Sequence, residues 1–156
     1  MSRTHRYTAE VEWTGRSPDE PWSYAAYSRA YTTRVPGKPE LAGSADPTFR
    51  GDPDRHNPED LFVAAISACH MLSYLALCAR RGVEVLGYVD EAAGEMALER
   101  DGSGRFTEVV LHPKVTIAAG ADPGLAESLH ATAHEHCFIA NSCSVPIRCR
   151  PEIVAA

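Results

Sequence analysis

Basic residues are in short supply in this 156-residue chain: 15 Lys plus Arg stand against 21 Asp plus Glu, a formal net charge of −6, and the pI is near 5.6. With no long Lys/Arg run, a phosphate backbone is a poor partner, and nucleic-acid binding is set aside. Long apolar runs are also expected to be missing, with none approaching the roughly 18 to 20 residues of a membrane span. The N-terminal Met1-Ser2-Arg3-Thr4-His5-Arg6 leads into an alternating segment without the apolar core of a signal peptide. These absences point away from membrane and secreted proteins and towards the cytoplasm.

A disulfide framework is the next thing lacking. The five cysteines, Cys69, Cys78, Cys137, Cys143 and Cys149, are odd in number and widely spaced. In a reducing compartment such thiols are buried fillers, metal ligands or reactive groups. No repeat, low-complexity tract or linker breaks the chain, so one domain over residues 1–156 is expected, large enough for a hydrophobic core.

What is present reads as alternating strands around two helices. Tyr7 to Trp13 alternates as a half-buried strand, and Ser23 to Val35 and Leu41 to Ala45 follow as strands two and three. Asp46 to His56 is an exposed loop. Asn57-Pro58-Glu59-Asp60 then supplies a cap, a proline at the first helical position and two first-turn acids. Leu61 to Ala79 is apolar nearly all round, and Arg80-Arg81-Gly82 closes the segment with cations and a stop. A helix of this kind is expected to be the buried centre of the fold. Val83 to Val89 and Gly94 to Glu99 are further strands, and Asp101-Gly102-Ser103-Gly104 turns into a strand over Arg105 to Ala118. Asp122-Pro123 opens a second helix to about His136, and Val145 to Val154 is a last strand. The order βββ-α-βββ-α-β is an α+β fold with antiparallel sheet around two helices.

Two segments carry chemistry. Cys69 lies mid-helix on a face shared with Phe62, Ala65, Leu72 and Ala76. On position alone it reads as a core cysteine. A thiolate there needs a cation brought by another segment, because the helix dipole acts only near the ends. His70 does not serve by adjacency, since successive helical residues diverge by about 100°. Cys137 ends the second helix, where His130, His134 and Cys137 at i, i+4 and i+7 share one face. That face is either a solvated histidine-rich helix end or a partial zinc site. Glu59 is explained by helix-end electrostatics, or else it pins an arginine, with Arg50, Arg55, Arg16 and Arg29 as candidates. Cys78, Cys143 and Cys149 read as packing residues. A Cys/His hydrolase is disfavoured, for the chain has no nucleophile turn and a mid-helix cysteine has no oxyanion donors.

The run Asn57-Pro58-Glu59-Asp60-Leu61-Phe62-Val63-Ala64-Ala65-Ile66-Ser67-Ala68-Cys69, with the later Ala133-His134-Glu135-His136-Cys137, resembles the OsmC/Ohr family. These are osmotically inducible protein C and the organic hydroperoxide resistance proteins. The resemblance covers about Tyr7 to Val154 and places the chain in an OsmC-like branch. It implies an intertwined homodimer and a thiol-dependent peroxidase that reduces alkyl hydroperoxides. By that resemblance Cys69 is the peroxidatic thiolate and Cys137 the resolving thiol, and Glu59 orients an activating arginine. Arg50, shortly before the motif, is the first choice for that arginine, followed by Arg16 and Arg29. No bound cofactor is implied; an external dithiol, a lipoyl-type thiol being one candidate, restores the two cysteines. Three features depart from the family pattern: Phe138 stands where many members have proline, His70 stands where peroxidase members carry phenylalanine, and the glycine-rich segment that holds the arginine in the Ohr branch is not evident. A non-enzymatic small-molecule or metal-binding protein on the same fold, using His130, His134 and Cys137, is the alternative.

Overall fold

The computed structural model describes residues 2–156. The chain divides into two compact units, residues 1–61 and 62–156.

In the N-terminal unit, β1 (Glu10–Trp13), β2 (Tyr31–Arg34) and β3 (Leu41–Gly43) form an antiparallel sheet in that order. β1 was expected to be half-buried, yet all four of its residues are exposed. It is an edge strand, and the unit supplies no residue to either buried hydrophobic cluster among the described residues. Polar and aromatic contacts hold it instead. Arg34 on β2 bonds Glu10 and Glu12 on β1 and Glu40 before β3, while Trp13 meets Trp22 and Tyr27 edge-on at 5.7 and 6.3 Å between ring centroids.

The long helix α1 spans Pro58–Arg81. Its start is a reciprocal capping box: the Asp60 N–H donates to Asn57 Oδ1 at 2.8 Å, and the Asn57 N–H donates to Asp60 Oδ2 at 3.2 Å. Its end is a Schellman closure around Gly82 at φ +73°, with the Val83 N–H returning to the Cys78 carbonyl at 2.9 Å. By length and composition α1 is apolar enough to cross a bilayer, which corrects the expectation that no stretch approaches that threshold. It serves here as a core helix, but not one buried all round. Only Ile66, His70, Tyr74 and Cys78 are buried, a stripe at strict four-residue spacing, whereas Leu72 on another face is 62% exposed.

In the C-terminal unit, six strands form two three-stranded sheets. β4 (Val85–Asp90), β7 (Pro113–Ile117) and β9 (Glu152–Ala155) make one, in the order β4-β7-β9. β5 (Ala93–Leu98), β6 (Gly104–Leu111) and β8 (Ile147–Cys149) make the other, in the order β5-β6-β8. The single strands anticipated over Arg105–Ala118 and Val145–Val154 are therefore each two. Both break beside a proline, Pro113 and Pro151, where the missing N–H interrupts the ladder. At each break the chain passes from one sheet to the other, as it also does between β4 and β5. Nor is the sheet purely antiparallel: β6 and β8 run parallel, as do β7 and β9, because the crossover through the second helix brings the last strands back in the same sense. Asp90 staples the corner, accepting from the Ser67 hydroxyl at 2.5 Å and from the His112 N–H at 2.7 Å.

The second helix, α2, spans Pro123–His136 behind the Asp122 cap, whose carboxylate accepts from the Gly124 and Leu125 N–H groups. One core cluster joins Tyr74 and Cys78 of α1 to Val115 and Ile117 of β7 and to Leu129 and Ala133 of α2. The other joins Ile66 to Val109 and Leu111 of β6. The architecture is α+β, two helices with mixed and antiparallel sheets, in line with the fold class read from the sequence.

Because Ile66 is wholly buried between α1 and β6, Ile66→Ala is expected to cost roughly 2–5 kcal/mol. Loss of the capping side chain in Asn57→Ala should cost about 1 kcal/mol. Urea unfolding of the two variants, read at 222 nm by circular dichroism, should show that ranking.

Candidate functional site

The turn of α1 after Ile66 points Cys69 away from the buried stripe, so its thiol is only half-buried, whereas Cys137 at the C-cap of α2 is 1% exposed. The fold brings the two near one another, close enough for the Cys69 thiol to bear on the proton affinity of the Cys137 thiol. They lie 68 positions apart in sequence, and the packing of α1 and α2 over one core cluster closes the gap.

Electrostatics separates their roles. Burial first, and the nearby Cys69 sulfur second, push the Cys137 thiol up to about 11, with the Ala140 and Ile139 N–H groups opposing. The Ala140 N–H donates to Cys137 Sγ at 3.4 Å. Cys137 is thus a protonated, shielded thiol at neutral pH, and Cys69 is the sulfur that a molecule from solution meets first. Phe138, the residue standing in place of proline, is 79% exposed immediately beside this pair.

Glu59 and the arginines lie in the N-terminal unit. Glu59 is half-buried and lines a cavity of about 440 Å³ with Trp13, Tyr27, Arg29 and Tyr31. Burial, and then the Glu59 charge, raise the Tyr31 hydroxyl above its usual value. Arg29 is fixed over the Tyr27 ring, its guanidinium carbon 3.8 Å from the centroid, and it donates to the Tyr27 and Tyr24 carbonyls. Arg50 is not among the residues lining this cavity. It is an exposed left-handed residue, φ +63°, ending a 3₁₀ turn over Pro47–Phe49. Arg16 is committed to carbonyls of its own loop, those of Ser17 and Glu20, and Arg55 pairs with Asp52 at 3.4 Å.

The histidine face read from the spacing of α2 does not converge. His130 and Cys137 are buried but His134 is exposed, so these three are not the grouping that the fold assembles. His130 instead turns to His70 of α1, His70 Nε2 to His130 Nδ1 being 3.0 Å. Cys149 at the end of β8 joins them, its Sγ lying 3.6 Å from the first nitrogen and 3.8 Å from the second. Burial drives His130 down to about 4, with His70 adding to the effect. Burial likewise lowers His70, with His134 assisting and Asp90 opposing, and pushes the Cys149 thiol up to about 12, Asp90 adding to it. Cys149, a packing residue by sequence pattern, and His70, notable there only as the neighbour of Cys69, are thus brought into one cluster. The available signal was the register of His70 with Ile66 and Tyr74, which places an imidazole on the only buried stripe of an apolar helix.

The raised value of Cys137 has a measurable consequence. An unfolded thiol loses its proton near pH 9, whereas Cys137 keeps its proton to about 11. Between these values the unfolded chain binds fewer protons, so stability falls as pH rises. Urea midpoints of the reduced protein measured from pH 8.5 to 11 should therefore fall less steeply in Cys137→Ser than in the wild type; parallel slopes would contradict the assignment.

The OsmC-like protein family model matches residues 51–151, which include both cysteines of the pair. No curated protein matches the chain. Among solved structures, an OsmC-like protein of unknown function from Vibrio cholerae is 34% identical, with a TM-score of 0.87 over 96% of this chain and 100% of that one. An organic hydroperoxide resistance protein from Elizabethkingia anophelis, solved with thiocyanate bound, is 19% identical with a TM-score of 0.72 and full coverage of both chains. An organic hydroperoxide resistance protein OsmC from Legionella pneumophila is 16% identical, with a TM-score of 0.62 over 97% of this chain and 99% of that one. At those two identities the likeness is one of fold. By the extent of the family model and the identity to the Vibrio cholerae protein, the chain belongs to the OsmC-like family.

Proposed function

We propose that the protein is a thiol-dependent peroxidase that reduces organic hydroperoxides, with Cys69 as the attacking thiol and Cys137 as the resolving one. The observation that carries this reading is the Cys69–Cys137 pair itself: one thiol half-exposed, one buried, the first near enough to raise the second from the neighbouring helix.

The chemistry follows from that asymmetry. The Cys69 thiolate attacks the terminal peroxide oxygen, the O–O bond breaks, and the alkoxide takes up a proton and leaves as alcohol. Cys69 is then a sulfenic acid. The Cys137 sulfur attacks the sulfenic sulfur, forming the disulfide and releasing water, and an external dithiol reduces the disulfide by exchange. Burial suits Cys137 to this second role, since a protonated thiol does not compete for the peroxide but sits beside the sulfur that it must reach.

Glu59 and an arginine complete the reading by stabilising the Cys69 thiolate and polarising the peroxide. Arg29 takes precedence over Arg50, because Arg29 and Glu59 line one cavity whereas Arg50 is an exposed cap. Glu59 and Cys69 are ten residues apart on α1, about 15 Å along a helix axis. A homodimer in which the acid and arginine of one copy serve the thiol of the other satisfies that spacing, and an exposed apolar face on α1 suits burial against a partner.

One equivalent of an alkyl hydroperoxide added to the fully reduced protein should produce a Cys69–Cys137 disulfide, seen as a loss of two hydrogens by intact mass and mapped by peptide mass spectrometry. Cys69→Ser should abolish peroxide consumption. Cys137→Ser should complete one turnover and then accumulate sulfinic acid at residue 69. Consumption undiminished in Cys69→Ser would refute the reading.

A further inference from the structure

Outside the thiol pair, the interior of the C-terminal unit holds a second cluster of donor groups that peroxide chemistry does not use. His70 from α1, His130 from α2 and Cys149 from β8 place one nitrogen, one nitrogen and one sulfur on a small triangle with edges of 3.0, 3.6 and 3.8 Å. The three donor atoms all lie within 4.8 Å of one another. His70 is 1% and His130 4% exposed. We propose that His70, His130 and Cys149 form a binding site for a thiophilic transition-metal ion, zinc by its charge and ligand preference.

The triangle has the size of one face of a zinc tetrahedron. With Zn–N distances of about 2.0–2.1 Å and Zn–S of about 2.3 Å, tetrahedral angles set N–N edges near 3.3 Å and N–S edges near 3.6 Å. The observed edges therefore need to change by only a few tenths of an ångström to enclose the ion. Two imidazoles and one thiolate are a donor set that zinc takes readily, with a fourth position left for water or another small ligand.

The surroundings hold the donors in place. The His130 ring stacks on Tyr74 at 3.9 Å and 11°, and the Tyr74 hydroxyl is itself anchored to the Ala126 carbonyl at 3.0 Å. The His70 ring lies parallel to His130 at 5.3 Å and 5°. Each ligand comes from a different element of one packed core, so the set is preorganised and not drawn from a mobile loop. Charge also balances. Zinc with the Cys149 thiolate carries one net positive charge, and Asp90, whose carboxylate bears electrostatically on both His70 and Cys149, supplies the compensating negative charge. Binding displaces the Cys149 thiol proton to solvent as the Zn–S bond forms. No oxidation is involved, and the site shares no ligand with the Cys69–Cys137 pair.

The test uses the full-length reduced protein, stripped of metal by dialysis against a chelator and titrated with Co²⁺ as a spectroscopic probe. One equivalent should produce a thiolate-to-Co(II) charge-transfer band in the near ultraviolet and tetrahedral ligand-field bands in the visible, and one equivalent of Zn²⁺ should erase them. Cys149→Ser, nearly isosteric, should lose the charge-transfer band and bind Zn²⁺ at least about 100-fold more weakly by chelator competition, since even outer-shell changes cost 10–100-fold. His70→Gln serves as a second variant and should also weaken Zn²⁺ binding. Cys69→Ser and Cys137→Ser should keep the band, so failure here and failure of the peroxidase reading are distinguishable. No band at one equivalent, a band that survives Cys149→Ser, or a band lost in Cys69→Ser or Cys137→Ser would each overturn the proposal.

Discussion

The four-residue stripe of α1, Ile66, His70, Tyr74 and Cys78, is the constraint on which the C-terminal unit depends. One residue in each turn is drawn inward, and the apolar ones land on two different supports. Ile66 packs on the β5-β6-β8 sheet, while Tyr74 and Cys78 pack with α2 and the β4-β7-β9 sheet. A stripe this narrow fixes the rotation of the helix about its axis. With that rotation set, Cys69 can only flank the core, and its thiol is left where solvent reaches it. Burial of the stripe and partial exposure of the Cys69 sulfur are one geometric fact.

The sheets answer the helix with a corner. Three successive strand pairs cross from one sheet to the other, at Asp90–Ala92, at His112 and at Arg150–Pro151. The Asp90 carboxylate ties that corner to α1 through Ser67 and to the β6–β7 break through the His112 N–H. Cys149 is the last residue before the third crossing, and His70 is the stripe residue between the two core clusters. The buried histidine–cysteine cluster therefore draws on α1, α2 and the end of β8 at once.

Burial also differentiates five chemically identical thiols. Cys78 fills the core, and burial raises it above its usual value. Cys137 is equally enclosed but lies under the influence of Cys69, and Cys149 faces two imidazoles. The same desolvation keeps all three thiols protonated at neutral pH, and what differs is the neighbour each one faces.

Local chemistry was legible in the sequence wherever the physics is local. The Asn57–Asp60 capping box, the Gly82 stop, the Asp122 cap and the Asp101–Gly102 turn are satisfied by atoms within a few residues, so their side chains announce them. The NPE motif and the second cysteine likewise carried the family resemblance without any knowledge of contacts. Tertiary structure alone decided the rest. Period-two patterning is the same on both sides of Pro113 and Pro151, so it did not reveal that the strands change sheets there. Nor did an apolar helix disclose which of its faces would be covered, since that depends on what packs against it. The meeting of His70 with His130 and Cys149, and of Cys69 with Cys137, joins residues 60 to 79 positions apart. Spacing along one helix had suggested His134 as a metal ligand, but a shared helical face brings donors together only when it faces inward, and His134 faces solvent. Sequence determined which segments are helix and where they begin and end; the packing of α1 on the bent sheets determined which thiols and imidazoles share a site, because those distances are set by burial of the stripe and not by the chain between them.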